Sequence, residues 1–255
     1  MGRVDWEPVG TGRSGAEVRR SPDGTAYAKT GSGALRDEVV DEHDRLEWLA
    51  GTDLPVAEVL DWADDGDTAT LTLRALPGVP MSEVPASGVT SAVRSLGTFL
   101  RRLHTMSREG CPFERWLAVT VPLARVRVEE GMVDADDFDA ERAGRSPQDL
   151  LDELVQQRPR AEELELGDLV VCHGDACLPN FLVDPGTGEV TGMVDVHRLG
   201  LADRHLDLAL ATRSMSDTSL NPHYGPEPAA ALLAAYGRPA DPWRVEFYRL
   251  LDEFF

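Results

Sequence analysis

Between residues 171 and 195 the chain reads Val171-Cys172-His173-Gly174-Asp175, then Asn180, then Met193-Val194-Asp195. His173, Asp175 and Asn180 have the spacing H-x-D-x-x-x-x-N, and Asp195 follows Asn180 by fifteen residues. One carboxylate followed by two further oxygen side chains suits phosphoryl transfer. That reaction needs a carboxylate to orient an attacking hydroxyl and accept its proton, the role expected of Asp175. It also needs oxygen ligands for a Mg²⁺ ion bridging the phosphates of ATP, the role expected of Asn180 and Asp195. Each residue taken singly is equally a turn-forming Asp or Asn; the ordered set carries the reading.

Upstream lie the other parts such chemistry needs. Gly10-Thr11-Gly12-Arg13-Ser14-Gly15 matches G-x-G-x-x-G. Glycines let backbone approach phosphate closely, and amides with the Ser14 hydroxyl can donate to its oxygens. A Rossmann reading fails, because that motif opens a helix in a βαβ unit and here a hairpin follows. The 34–50 helix carries Leu35, Val39, Glu42, Leu46 and Leu49 on one face. Glu42 thus interrupts an apolar seam. Either it reaches water at the seam's edge or it has a partner, since an unpaired buried carboxylate is costly. Lys29, at the end of an upstream strand, is the candidate partner, and a strand lysine held by a helix glutamate grips nucleotide phosphates in kinases.

The elements expected to position these residues follow from pattern. Strands flank the turn Ser21-Pro22-Asp23-Gly24, and the second, over 26–29, leads into glycine-rich 30–33. The helix over 34–50 stops at Gly51. Further strands are expected over 55–62 and 68–73, then a connector at Leu76-Pro77-Gly78-Val79-Pro80. Beyond it helices dominate, the clearest over 91–104 with Val93, Leu96, Leu100 and Leu103 in one stripe. A strand over 169–172 precedes the motif. Strands over 181–183 and 190–196 flank the turn Asp184-Pro185-Gly186-Thr187-Gly188 and return Asp195 toward Asn180. The outline is α+β: a small sheet-rich lobe over 1–76 and a larger helical lobe over 77–255.

A length of 255 residues, 42% of them hydrophobic, is enough for a sizeable core. The net charge of −20 repels nucleic acid and anionic membrane and favours cations. No apolar run approaches the roughly 20 residues of a membrane span, and the start lacks a secretory pattern, so a cytoplasmic protein is expected. Three cysteines, Cys111, Cys172 and Cys177, fit buried thiols rather than a disulfide framework. His104, His205 and His223 show no ligand spacing and receive no function.

The run from His173 to Asp207, HGDACLPNFLVDPGTGEVTGMVDVHRLGLADRHLD, resembles the signature of aminoglycoside 3'-phosphotransferases. The ending Tyr248-Arg249-Leu250-Leu251-Asp252-Glu253-Phe254-Phe255 is similar to that family's carboxyl end. Gly174 stands where protein kinases carry arginine, as it does in the phosphotransferases. The resemblance implies a protein-kinase-like bilobal fold and ATP-dependent, Mg²⁺-dependent phosphorylation of the 3'-hydroxyl of kanamycin- or neomycin-type drugs, giving antibiotic resistance. It implies that Asp175 is catalytic, Asn180 and Asp195 bind metal, Lys29, Glu42 and Ser14 manage the phosphates, and the backbone from Arg74 to Leu76 holds adenine. Asp136, Asp137, Asp139, Arg198, Asp217, Glu253 and the terminal carboxylate of Phe255 are implied to bind the drug, with Thr218 where a second acid is expected. Asp203 and Asp207 are expected to be structural, holding the catalytic loop.

Independent features agree with a polycationic substrate. The run Asp134-Ala135-Asp136-Asp137-Phe138-Asp139 is acidic, although a solvated helix start reads the same way. Leu250, Leu251, Phe254 and Phe255 argue that the C-terminus docks rather than frays. No obligate protein partner is expected. Two other readings remain: a kinase of the same fold acting on choline, a sugar amine or a macrolide, and a non-catalytic nucleotide- or drug-binding module.

Overall fold

The computed structural model describes residues 6–9, 15–218 and 221–255. In chain order its strands are β1 (Glu7–Pro8), β2 (Glu17–Arg20), β3 (Ala26–Ser32), β4 (Val59–Asp64), β5 (Thr68–Arg74), β6 (Val79–Pro80), β7 (Leu169–Cys172), β8 (Phe181–Val183), β9 (Val190–Met193) and β10 (Gly200–Asp203). Its α-helices are α1 (Ala34–Leu49), α2 (Val89–Leu103), α3 (Leu117–Glu129), α4 (Pro147–Glu165), α5 (His205–Ser216), α6 (Pro226–Tyr236) and α7 (Pro242–Asp252). The chain divides into two compact units, one formed by residues up to Val84 with Pro179–Arg198, the other by Pro85–Leu178 with Leu199–Phe255. No helix among the described residues is long and apolar enough to cross a membrane.

The first unit holds an antiparallel sheet ordered β1-β2-β3-β5-β4, helix α1, and a second sheet ordered β6-β8-β9. The β2–β3 turn is fixed by Asp23, whose carboxylate accepts from the Ser21 and Thr25 hydroxyls and the Thr25 amide. Strand β3 runs past the expected end at residue 29 as far as Ser32. Gly31 pairs with Ala69 in the β3–β5 register, and a Cβ on it would lie 2.2 Å from the Leu35 carbonyl oxygen. Glycine is needed there because α1 begins against the strand. Helix α1 buries Val39, Glu42, Leu46 and Leu49 of the expected seam, together with Arg45, while Leu35 is half-buried.

The second unit is helical apart from the antiparallel pair β7–β10. Helices α2 and α6 approach closely at Gly97, where a Cβ would fall 2.7 Å from the Leu232 carbonyl oxygen. Helix α4 starts with a capping box between Ser146 and Asp149. Helix α7 is capped by Asp241, and Phe247, Tyr248, Leu250, Leu251 and Phe254 at the end of the chain are buried. The C-terminus is docked, not frayed.

Candidate active site

In the first unit a buried lysine joins two carboxylates. Lys29 Nζ on β3 donates to Glu42 Oε2 on α1 at 2.8 Å and to Asp195 Oδ1 at 2.8 Å. Glu42 therefore has a partner and does not reach out to water. Burial alone would lower the Lys29 pKa, but the charges of Glu42 and Asp195 reverse the effect and raise it. Asp195 also takes a 2.9 Å hydrogen bond from His197 Nδ1. Its carboxyl lies well below the usual range. Burial opposes ionisation there, and the His197 hydrogen bond and the Lys29 ammonium more than offset it.

The β8–β9 hairpin carries Asn180 and Asp195 at its open end. Phe181 pairs with Met193, and beyond that pair the Val194 amide donates to the Asn180 carbonyl at 2.9 Å. The expected strand to residue 196 ends at Met193. Asp195 has φ +58, the one left-handed non-glycine among the described residues, which breaks the ladder and redirects its side chain toward Lys29. A short 3₁₀ turn, Val196–Arg198, follows and packs on α1.

In the second unit Asp175 follows β7 in a loop held from behind. Asp207 on α5 is fully buried and accepts from the His173 amide at 2.8 Å and the Gly174 amide at 2.9 Å. Gly174 has φ +85, a conformation that favours glycine. The Asp175 amide donates to His173 Nδ1 at 3.3 Å. Burial pushes the Cys177 thiol well up, and the nearby Asp175 charge adds to this.

The same unit holds an ionic network at the chain's end. Arg142, 6% exposed, pairs with Glu253 at 3.2 Å, with Asp139 at 3.6 Å, and with Glu246. Arg213 pairs with Asp139 at 2.9 Å and with Asp252. Glu253 is buried, and both its oxygens accept from the Asp139 amide. Its carboxyl is raised, first by burial and then by the Asp139 charge. The Phe255 ring lies under Arg115 and Arg127, 5.6 and 5.8 Å from its centre.

A sequence model of the phosphotransferase enzyme family matches residues 5–248. The chain is 42% identical to an aminoglycoside 3'-phosphotransferase of Streptomyces fradiae, over 98% of this chain and 95% of that relative. The chain belongs to the phosphotransferase enzyme family. This phosphotransferase is also 40% identical to a streptomycin 3''-kinase of Streptomyces griseus, over 97% of this chain and 91% of the relative. An aminoglycoside phosphotransferase from Streptomyces rimosus, solved with ADP and streptomycin, matches it with a TM-score of 0.89 at 34% identity, covering 99% and 93% of the two chains. The expected α+β, protein-kinase-like fold is the fold of this phosphotransferase.

Of the residues singled out from the sequence, the phosphotransferase brings Lys29, Glu42 and Asp195 into direct contact and sets Asn180 on the strand pair that carries Asp195. Asp139 and Glu253 meet through backbone and arginine. Asp136 and Asp137 are exposed in a 3₁₀ turn capped by Asp134, and among the described residues neither carboxylate has an ion-pair partner. Asp217 ends α5, and Arg198 ends the turn after Asp195; both are half-buried. The Arg74 amide donates to the Glu58 carbonyl and the Ala75 amide to that of Thr25, while Leu76 packs toward Gly192. Ser14 lies outside the described residues. Sequence reasoning assigned no role to His197, Cys177, Arg142, Arg213 or Asp252. Asp252 sits in the same terminal segment as Glu253 and was within reach of the pattern; the others make contacts that no spacing marks.

Proposed function

We propose that this phosphotransferase transfers the γ-phosphoryl group of ATP to the 3'-hydroxyl of kanamycin- or neomycin-type aminoglycosides in the cytoplasm, conferring resistance. The observation that carries the reading is the Lys29–Glu42–Asp195 triad beside Asn180, in a chain whose Asp175 precedes Asn180 by five positions. The oxygens of Asn180 and Asp195 are hard donors, and Asp195 is held ionised, as a Mg²⁺ ligand must be. These two residues would hold the ion, which when bound supplies charge neutralisation on the phosphates. Lys29, fixed by Glu42, places an ammonium for the phosphate oxygens, with Ser14 and its glycine loop as further donors. The backbone from Arg74 to Leu76 is assigned to adenine. On this reading, residues 1–76 serve the nucleotide, and residues 77–255 serve catalysis and the drug.

Asp175 orients the acceptor hydroxyl and takes its proton as the O–P bond forms. Transfer of a metaphosphate-like group asks for placement and electrostatics more than for covalent help. Arg198, Asp136, Asp137, Asp139, Asp217 and the terminal carboxylate of Phe255 are assigned to the antibiotic's ammonium and hydroxyl groups. Glu253 is assigned with them and acts through the Asp139 amide it holds. The acidic balance of −20 favours approach of such a cation.

A second reading keeps the mechanism and moves the acceptor to the 3''-hydroxyl of streptomycin, supported by the 40% identity to the Streptomyces griseus kinase. Mass spectrometry of kanamycin, its 3'-deoxy analogue tobramycin, and streptomycin after incubation with enzyme, ATP and Mg²⁺ separates the two. The 3' reading expects a phosphate on kanamycin and none on the other two. Phosphate on streptomycin alone selects the second reading, and phosphate on none of them refutes both.

A further inference from the structure

His104 closes α2 and its side chain is 1% exposed. Its Nε2 lies 2.9 Å from Asp207 Oδ2, and its Nδ1 lies 2.9 Å from the Tyr236 hydroxyl on α6. Asp207 is ionised and can only accept, which assigns the imidazole proton to Nε2. The Tyr236 hydroxyl at Nδ1 holds the other side of the ring. The Asp207 carboxylate is thereby filled by three N–H groups: His104 Nε2, the His173 amide and the Gly174 amide. Ligand atoms of His104, Cys172 and Asp207 lie within 4.8 Å of one another. Asp207 accepts from all three of these N–H groups, and the cluster is read as a hydrogen-bond network.

We infer that His104 is a positioning residue for phosphoryl transfer: through Asp207 it fixes the two amides that set the loop immediately before Asp175, and Tyr236 holds the far side of its ring. The inference rests on the reading of Asp175 as the group that orients the acceptor hydroxyl. The two gripped amides belong to the residues directly preceding Asp175, and the nearer of these, Gly174, is in the left-handed conformation. Loss of the Nε2 donor leaves a buried carboxylate one bond short and free to turn, which moves the amides with it. A displacement of this kind acts on the attack geometry while the ligands still bind, so kcat falls and both KM values hold.

The test compares His104→Gln, whose amide nitrogen takes the place of Nε2, with His104→Met, of similar size and without a donor. Aminoglycoside-dependent ADP release is measured at a temperature where both are folded by circular dichroism. His104→Met is expected to lose kcat roughly 10- to 100-fold with KM for ATP and drug within about threefold of wild type, and His104→Gln to recover most of the loss. Tyr236→Phe is expected to show the same split at smaller size. Equal kcat in the Gln and Met variants, or a loss carried by KM, overturns the inference. Should His104→Met not fold, His104→Asn, too short to reach Asp207, is read in its place. If neither folds, His104 serves only the fold and the inference also fails. Wild-type enzyme that releases no drug-dependent ADP sinks the functional reading itself; active wild type with matched Gln and Met variants sinks the inference alone.

Discussion

Two acids, one half-buried and one buried, each beside a cation, are driven in opposite directions. Asp195 in the first unit is held far below the usual carboxylate range, whereas Glu253 in the second is pushed above it. Asp195 has Lys29 at 2.8 Å and a His197 hydrogen bond at 2.9 Å. Glu253 has Arg142 at 3.2 Å, but that guanidinium is shared with Asp139 and Glu246, and Asp139 turns its own charge on Glu253. Proximity to a cation does not fix a carboxylate's charge: burial and then the Asp139 charge win at Glu253, whereas the His197 hydrogen bond and Lys29 outweigh burial at Asp195. The first arrangement keeps the Asp195 carboxylate ionised, as its proposed metal role requires. The second keeps acids crowded around one guanidinium, which suits the role proposed for them toward ammonium groups.

The sharpest way to break this comparison is to neutralise Asp195. Asp195→Asn is expected to lower kcat by about 10³-fold, since placement and charge supply most of the catalysis; steady-state ADP release checks it, and near-normal turnover would remove Asp195 from the metal role. Next is the cation that both first-unit acids share. Lys29→Met leaves a buried Glu42 and a half-buried Asp195 without their ammonium and should cost about 3–5 kcal/mol in denaturant unfolding. Lys29→Met with Glu42→Leu should regain much of that stability and none of the activity. An inactive but stable double variant separates the grip on phosphate from the support of the fold.

In the second unit Arg142→Ala should cost about 2–3 kcal/mol, because it strips the cation from a buried Glu253; a melting temperature unchanged from wild type would show that the network carries no strain. The smallest effect concerns a buried acid with no cation partner among the described residues. Glu165 accepts from the Leu117 amide and the Tyr248 hydroxyl, and burial raises its carboxyl from 4.5 to about 7. The folded protein therefore binds a proton that the unfolded chain has released, and this contribution to stability is lost as pH rises from 4.5 through 7. Glu165→Gln should be more stable than wild type at pH 8 by about 1–2 kcal/mol, with the difference fading toward pH 4.5. A constant difference across that range would place the cause elsewhere.

The parts of the site that were legible in the sequence are those fixed by local rules. Glu42 could be seen as a carboxylate in an apolar helical seam, and Asn180 and Asp195 as the ends of a hairpin with a clear turn. The strand ending at Met193 was not legible, because the left-handed Asp195 that stops it is stabilised by Lys29, 166 residues away in sequence. That β3 continues past residue 29 was not legible, because the reason for Gly31, the Leu35 carbonyl 2.2 Å from where a Cβ would sit, exists only once strand and helix are packed. His104 looked idle because its partners are 103 and 132 residues away. The Arg142 network was hidden for the same reason, with Glu253 111 residues distant.

The most direct measurement of the central claim is mass spectrometry of kanamycin incubated with ATP, Mg²⁺ and either wild-type protein or Asp175→Ala. Wild type should add one phosphate to the 3'-oxygen, and Asp175→Ala, equally folded, should add none in the same time. Phosphorylation by Asp175→Ala at the wild-type rate would contradict the account.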